Sequence, residues 1–83
     1  MSRDALRAQV LDALGGIAPE ADLGALRGDV ALRDQLDLDS MDFLNFLVAV
    51  HQSTGVEIPE ADYGKLATLD QLLDYLERKV RAA

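Results

Sequence analysis

The sequence predicts an all-α domain, a four-helix bundle with three main helices, one short helix and a long connection after the first helix. Three observations support this fold class. Apolar residues recur at helical spacing in three segments, glycines follow the first two segments, and no segment alternates apolar and polar residues as a strand does. With 49% hydrophobic and 28% charged residues, the chain has a globular composition, and we expect one domain over residues 1–83.

The first predicted helix begins after Ser2, whose hydroxyl suits an N-cap. The pair Gly15-Gly16 is expected to end this helix, because glycine is common just past a helix C-terminus. Apolar residues at helical spacing form one stripe along the helix: Leu6, Val10, Ala13, Leu14 and Ile17. This stripe predicts the face that packs on the core.

Residues 15–39 form the long connection, which contains Pro19 and six acidic residues against two arginines. A connection of this length in a small domain is unusual, and such segments are often functional or packed by their own side chains. Two pairs of leucines are expected to anchor short turns to the core, Leu23 with Leu26 and Leu32 with Leu36.

The second main helix is predicted from about Ser40 to Thr54, with Gly55 as its stop. Its apolar arc covers roughly 220°, about twice the stripe that a surface helix needs. Deep burial among several helices explains an arc of this width. The alternative is that the edge from Met41 to Val48 stays exposed as a docking surface, for which a flexible methionine is well suited.

The last third of the chain is predicted to contain a short helix and a long one. Pro59 favours an extended backbone before it, and residues 60–63 are predicted as a short helical segment ended by Gly64. Thr68 and Gln71 have the spacing of a capping box and open the last helix. The apolar stripe of that helix consists of Leu69, Leu72, Leu73, Leu76 and Val80.

Composition and charge limit the partners. The net charge is −7, which disfavours binding to nucleic acid or anionic lipid and favours basic patches on proteins. No segment resembles a signal peptide or is long enough to cross a bilayer, so no membrane insertion is expected. There is no cysteine, hence no disulfide or thiolate site, which fits the cytoplasm. We expect a cytoplasmic monomer.

Several kinds of catalytic or metal site are excluded by spacing. A calcium loop starting at Asp37 fails because its sixth position is Asp42 rather than Gly and its twelfth is Val48 rather than Glu. His51 lies roughly 16 Å from Ser40 along the helix axis, too far to act as its base. A lone histidine provides no metal site, and no Gly-rich phosphate loop is present. We therefore expect no catalytic residue, no metal and no enzymatic activity.

The stretch around Ser40 is the strongest candidate for a functional site. Asp39 suits the N-cap of the second main helix, which places Ser40 in its first turn. The N–H groups of a first turn and the positive end of the helix dipole favour a phosphate ester. An Asp-Ser pair that only caps a helix is the alternative for these residues taken alone.

Taken with the rest of the chain, Asp39-Ser40-Met41 resembles the Asp-Ser-Leu attachment motif of the acyl carrier proteins. The resemblance covers nearly the whole length and is strongest from Leu36 to Leu76. It is supported by the apolar helix with Ala49 and by Glu57-Ile58-Pro59, Lys65-Leu66, Thr68 and Asp74-Tyr75-Leu76.

The resemblance implies a freestanding carrier with one prosthetic group. Ser40, flanked by Asp39 and Met41, would receive 4′-phosphopantetheine from coenzyme A through a separate phosphopantetheinyl transferase. Its thiol would hold an acyl group as a thioester, loaded by an acyl or aminoacyl ligase and used by acyl-processing enzymes. Partner enzymes would contact Met41, Asp42, Asn45, Val48 and Glu60.

The departures from the family pattern favour a specialised lipid or secondary-metabolite pathway, such as a polyketide pathway, over general fatty-acid biosynthesis. Asp42 is the only acidic residue of the second main helix, which is strongly acidic in typical fatty-acid carriers. The resemblance also implies an acyl cavity among the second, third and final helices. Phe43, Phe46 and Tyr63 are bulkier than usual there, which predicts a small cavity for short or polar cargo.

Two alternatives remain open. A freestanding aminoacyl or peptidyl carrier would have the same fold and attachment residue, although peptidyl carriers usually have Gly-Gly before it, where this chain has Leu36-Asp37-Leu38-Asp39. The other alternative is a small acidic interaction module without a prosthetic group, which explains the charge and the apolar arc but gives Ser40 no role.

Overall fold

A computed structural model describes residues 2–82, in which all regular secondary structure is helical apart from one isolated β-bridge. The helical segments in chain order are α1 (Arg3–Ile17), a first 3₁₀ helix (Leu23–Ala25), α2 (Leu32–Gln35), α3 (Ser40–Thr54), a second 3₁₀ helix (Glu60–Lys65) and α4 (Leu69–Ala82). The predicted all-α bundle is confirmed, and its long connection contains two short helical segments.

The core lies among the three long helices, because each presents an apolar stripe at helical spacing to the others. From α1 the buried residues are Leu6, Val10 and Leu14, and from α3 they are Phe46, Leu47 and Val50. The buried residues of α4 are Leu69, Leu72, Leu73, Tyr75 and Leu76. Leu32, Val56 and Leu66 close this core from the connecting segments.

Two predicted helix ends are wrong. The first helix continues through Gly15 and Gly16 to Ile17, whose side chain packs against the core and so continues the apolar stripe. Likewise, the second 3₁₀ helix continues past Gly64 to Lys65. Among the described glycines only Gly55 has a positive φ, of 74°, and it ends α3 as predicted. Glycine ends a helix only where the chain turns into the left-handed region.

The connection between α1 and α3 is held by its own hydrogen bonds. The side chain of Gln35 bonds three backbone groups of the connection: the N–H of Arg27 and the carbonyls of Arg27 and Val30. The fully buried Leu32 donates its N–H to Ala67 at 2.8 Å, which joins α2 to the residues before α4. The predicted anchors Leu23, Leu26 and Leu36 also pack against the core.

Capping fixes the N-terminal ends of α1 and α4, and side-chain contacts join these two helices. Ser2 Oγ accepts from the N–H of Ala5, and Thr68 with Gln71 forms the predicted capping box of α4. Arg3 donates to Asp74 and Glu77, both at 2.8 Å, and so joins α1 to α4. Across residues 2–82, no helix combines the length and apolar character needed to cross a membrane.

Candidate functional site

The candidate site lies at the N-terminus of α3, where Asp39 is the N-cap. The backbone of Asp39 is extended, and its Oδ1 accepts from the N–H of Asp42 at 2.8 Å, as predicted. This bond satisfies one of the unpaired donors of the first turn. Ser40 is the first helical residue, and its side chain is exposed. The cap therefore holds the hydroxyl of Ser40 at the positive end of α3.

The surroundings of the Ser40 hydroxyl are polar and accessible. Arg33 Nη2 donates to Ser40 Oγ at 3.3 Å. Within residues 2–82, no acceptor is hydrogen-bonded to the backbone N–H of Ser40 or Met41. The helix thus presents free donors and a partial positive charge beside an exposed hydroxyl. These features suit a phosphate ester at this oxygen.

The turn before α3 sets the direction in which Ser40 points. Leu38 is buried and donates its N–H to the carbonyl of Arg33 at 3.0 Å, so the turn is fixed to α2. Asp37 has a φ of 53°, in the left-handed region that non-glycine residues rarely adopt. Aspartate tolerates this conformation better than most residues. The chain therefore turns at Asp37 before it enters α3.

The apolar arc of α3 divides into a buried and an exposed part. Phe46, Leu47 and Val50 are buried, which accounts for its centre. Met41 is 64% exposed, Val48 43% and Leu44 37%, so the predicted edge from Met41 to Val48 is exposed. Both sequence-based explanations of the arc therefore hold. We call Met41, Leu44 and Val48 the apolar strip.

The other residues predicted to contact partners occupy different positions. Asn45 is exposed and, at 100° per residue, lies on the side of α3 that presents Met41 and Val48. Asp42 is half-buried and faces away from the strip, where it lines a depression of about 650 Å³ against the C-terminal end of α1 and the connection. Glu60 is exposed at the start of the second 3₁₀ helix.

His51 lies at the opposite end of α3 from Ser40. Its Nδ1 is 2.8 Å from the carbonyl oxygen of Val56, so the ring closes the end of the helix. The side chain of His51 is exposed. Within residues 2–82, no cluster of side chains suited to a metal ion is present.

A surface groove of about 390 Å³ lies between α3 and residues 57–63. The residues that line it are Leu47, Val48, His51, Glu57, Ile58, Pro59 and Tyr63. No residue of α4 lines this groove, which differs from the cavity among three helices that the resemblance implied. Phe46 is fully buried and Phe43 packs against it with ring centroids 6.0 Å apart, so aromatic side chains fill the interior beside α3.

Sequence reasoning missed one side chain near these features. Arg33 was not predicted at the site, although it is the only lysine or arginine between Arg27 and Lys65. The position of Arg33 as the single lysine or arginine of this stretch could have marked it as a candidate. Its contact with Ser40 could not be predicted, because it depends on how α2 packs.

Comparison with known proteins identifies the family. A family model described as "Phosphopantetheine attachment site" matches residues 4–76. An acyl carrier protein of Thermosynechococcus vestitus is 33% identical over 54 residues, which cover 65% of this chain and 67% of that protein. The chain belongs to the acyl carrier protein family.

Further comparisons agree with membership of the acyl carrier protein family. An acyl carrier protein of Thermobifida fusca is 30% identical over 71 residues, covering 86% of this chain and 85% of that protein. The solution structure of a protein from Anaplasma phagocytophilum aligns with a TM-score of 0.80 and 26% identity. It covers 100% of this chain and 94% of that one.

The prosthetic group of this carrier family is covalently attached 4′-phosphopantetheine, and it is the cofactor of this chain. The residues at the start of α3 fit such a group, because an exposed hydroxyl, free N–H donors and a guanidinium meet there. An anionic phosphodiester is favoured by the positive end of the helix.

Proposed function

We propose that the chain is a non-catalytic carrier, in which Ser40 bears 4′-phosphopantetheine and presents an acyl group to separate enzymes. The observation that supports this most strongly is the exposed Ser40 hydroxyl at the first position of α3, directly after the N-cap Asp39. The group supplies a terminal thiol that forms a thioester with the acyl cargo. A phosphopantetheinyl transferase is the enzyme that would modify Ser40.

The residues around Ser40 contribute through their positions at the start of α3. Asp39 fixes the start of α3 and leaves the hydroxyl of Ser40 exposed, while Met41 is the first residue of the apolar strip. A phosphate at Ser40 would lie at the positive end of the helix. Tethered cargo is kept at high effective concentration for any enzyme that binds the strip.

We propose that partner enzymes bind the apolar strip and the polar residues beside it. An exposed contiguous apolar surface on a small acidic protein is a docking feature. Asn45 is exposed beside the strip, and Asp42 and Glu60 are acidic groups that would attract basic partners. A net charge of −7 would accelerate encounter with such partners.

We propose a specialised pathway and short or polar cargo. The support is that buried Phe46 and half-buried Phe43 occupy the interior beside α3, while the groove near Tyr63 is open to solvent. Hydrolysis rates of thioesters of increasing chain length would test this; strong protection of long chains would contradict it. An aminoacyl or peptidyl cargo is the second candidate, and candidate ligases with ATP followed by intact-mass analysis separate the two.

The attachment itself is tested with coenzyme A and a phosphopantetheinyl transferase of broad specificity. By intact mass, the wild-type protein should gain one phosphopantetheinyl group, which we call the prosthetic arm. Ser40→Ala should gain no arm, and Ser53→Ala should gain one. Ser53 is the matched control because it is also an exposed serine of α3, at the other end. If the wild type gains no arm, the chain is an acidic interaction module instead. The cytoplasmic location, monomeric state and single domain over residues 1–83 stay predictions.

A further inference from the structure

We propose that Arg33 binds the phosphodiester at Ser40 and so orients the root of the prosthetic arm. The inference rests on the attachment to Ser40 proposed above and extends it to a positioning residue in α2. Its starting point is the hydrogen bond from Arg33 Nη2 to Ser40 Oγ at 3.3 Å. The phosphorus of a phosphopantetheinyl serine is bonded to this oxygen, so the guanidinium stands beside the atom from which the phosphate extends.

The backbone holds Arg33 in place. Its neighbour Leu32 is fully buried, and the Arg33 carbonyl accepts from the N–H of Leu38 at 3.0 Å. Leu38 is itself buried two residues before Ser40. The Cα of Arg33 and the start of α3 are therefore fixed relative to one another.

Arg33 has donors available for an anion. Three other arginines, Arg3, Arg27 and Arg81, each form an ion pair, whereas Arg33 has no carboxylate within 4.0 Å in the described part of the chain. Its one side-chain hydrogen bond there goes to the uncharged hydroxyl of Ser40. A guanidinium has five N–H donors and matches phosphate geometry well.

The local charge makes this cation important. Residues 29–42 contain five aspartates and a single basic residue, Arg33. A phosphodiester adds a further negative charge to this acidic segment, and attraction to Arg33 offsets part of the repulsion. Because the pair is exposed, its effect on global stability is small. We therefore expect Arg33 to affect the order of the phosphate and the first bonds of the arm rather than folding.

The test is ³¹P NMR of the loaded protein at low and high salt, for the wild type, Arg33→Gln, Arg33→Lys and Arg7→Gln. Arg7 is the matched control, because it is exposed on α1 and forms no ion pair within residues 2–82. The bond from Ser53 to Gln9 shows that this half of α1 lies beside the far end of α3 from Ser40.

The wild type and Arg7→Gln should share one ³¹P shift, which differs from that of the loaded wild type unfolded in urea. The ³¹P shift of Arg33→Gln should move toward the value of the unfolded protein. The shift of Arg33→Lys should lie between those of the folded wild type and Arg33→Gln. High salt should move the wild type in the same direction and leave Arg33→Gln nearly unchanged. In addition, the Nε–Hε resonance of Arg33 should move when the wild-type protein is loaded.

Identical ³¹P shifts and salt responses in all four loaded proteins would overturn the role of Arg33 while leaving the attachment to Ser40 intact. Failure of the wild type to gain an arm by intact mass would overturn both proposals. Circular dichroism verifies that each variant is folded, and the wild-type salt titration and Nε–Hε resonance test the inference without any substitution.

Discussion

At the scale of single residues, Asp39 determines where α3 begins and therefore where the Ser40 hydroxyl stands. Its side chain accepts from Asp42, and its extended backbone separates the helix from the turn at Asp37. This cap could be predicted from sequence because it depends on residues three apart. The contact of Arg33 with Ser40 could not, since it depends on how Leu32 and Gln35 fold the connection.

Replacing Asp39 with alanine should destabilise the protein by about 1 kcal/mol, because the cap of α3 is lost. Urea unfolding followed by circular dichroism measures this. Asp12→Ala is the matched control, since it removes the same charge from an exposed position of α1 that is not a cap. Equal losses of unfolding free energy in the two variants would show that the removed charge, and not the lost cap, is responsible.

At the scale of elements, the second 3₁₀ helix is joined to α4 by a hydrogen bond from Tyr75 Oη to Asp62 Oδ2 at 2.7 Å. Burial, followed by the bond to Asp62, raises the pKa of Tyr75 to about 12, and the Tyr75 hydroxyl lowers the pKa of Asp62. Asp74-Tyr75-Leu76 was recognised from sequence, but this contact was not, because Asp62 lies on a separate segment whose docking angle local patterns do not determine.

The burial of Tyr75 and its bond to Asp62 give stability a defined pH dependence. Tyr75 has a folded-state pKa above its ordinary value of 10.0, so its contribution is complete below that pH and is lost as the pH rises toward 12. Asp62 has a pKa below its ordinary 3.8, so its contribution is present above that pH and is lost in acid.

We therefore expect Tyr75→Phe to unfold at a lower urea concentration than the wild type at neutral pH. The difference should be constant between about pH 5 and 9 and should shrink in both acid and alkali. Tyr63→Phe, which changes the other tyrosine, should show no such pattern. A Tyr75→Phe difference that persists unchanged above the folded-state pKa would contradict this explanation.

At the scale of the whole molecule, the fold follows from three apolar stripes that meet in one core. The stripes of α1 and α4 were predicted from their spacing, and the wide arc of α3 predicted both its buried and exposed parts. The ends at Ile17 and Lys65 were not predicted, because continuation through Gly16 or Gly64 depends on packing beyond the helix. Local glycine signals carry no information about such packing.

Phe46 is the largest side chain fully buried in this core, so Phe46→Ala should cost about 3–5 kcal/mol of unfolding free energy. Met41→Ala, on the same helix but 64% exposed, should change it by less than about 0.5 kcal/mol. Chemical denaturation of both variants measures the contrast. Similar losses would contradict the division of α3 into a buried face and an exposed apolar strip.

We propose that Ser40 is the one residue that anchors the prosthetic group. The chain has three serines, Ser2, Ser40 and Ser53, so the claim is specific. Its most direct measurement is fragmentation mass spectrometry of the protein purified from cells that contain its native transferase. We expect a phosphopantetheinyl mass on Ser40 alone; the same mass on Ser2 or Ser53, or an unmodified chain throughout, would show that Ser40 is not the single anchor.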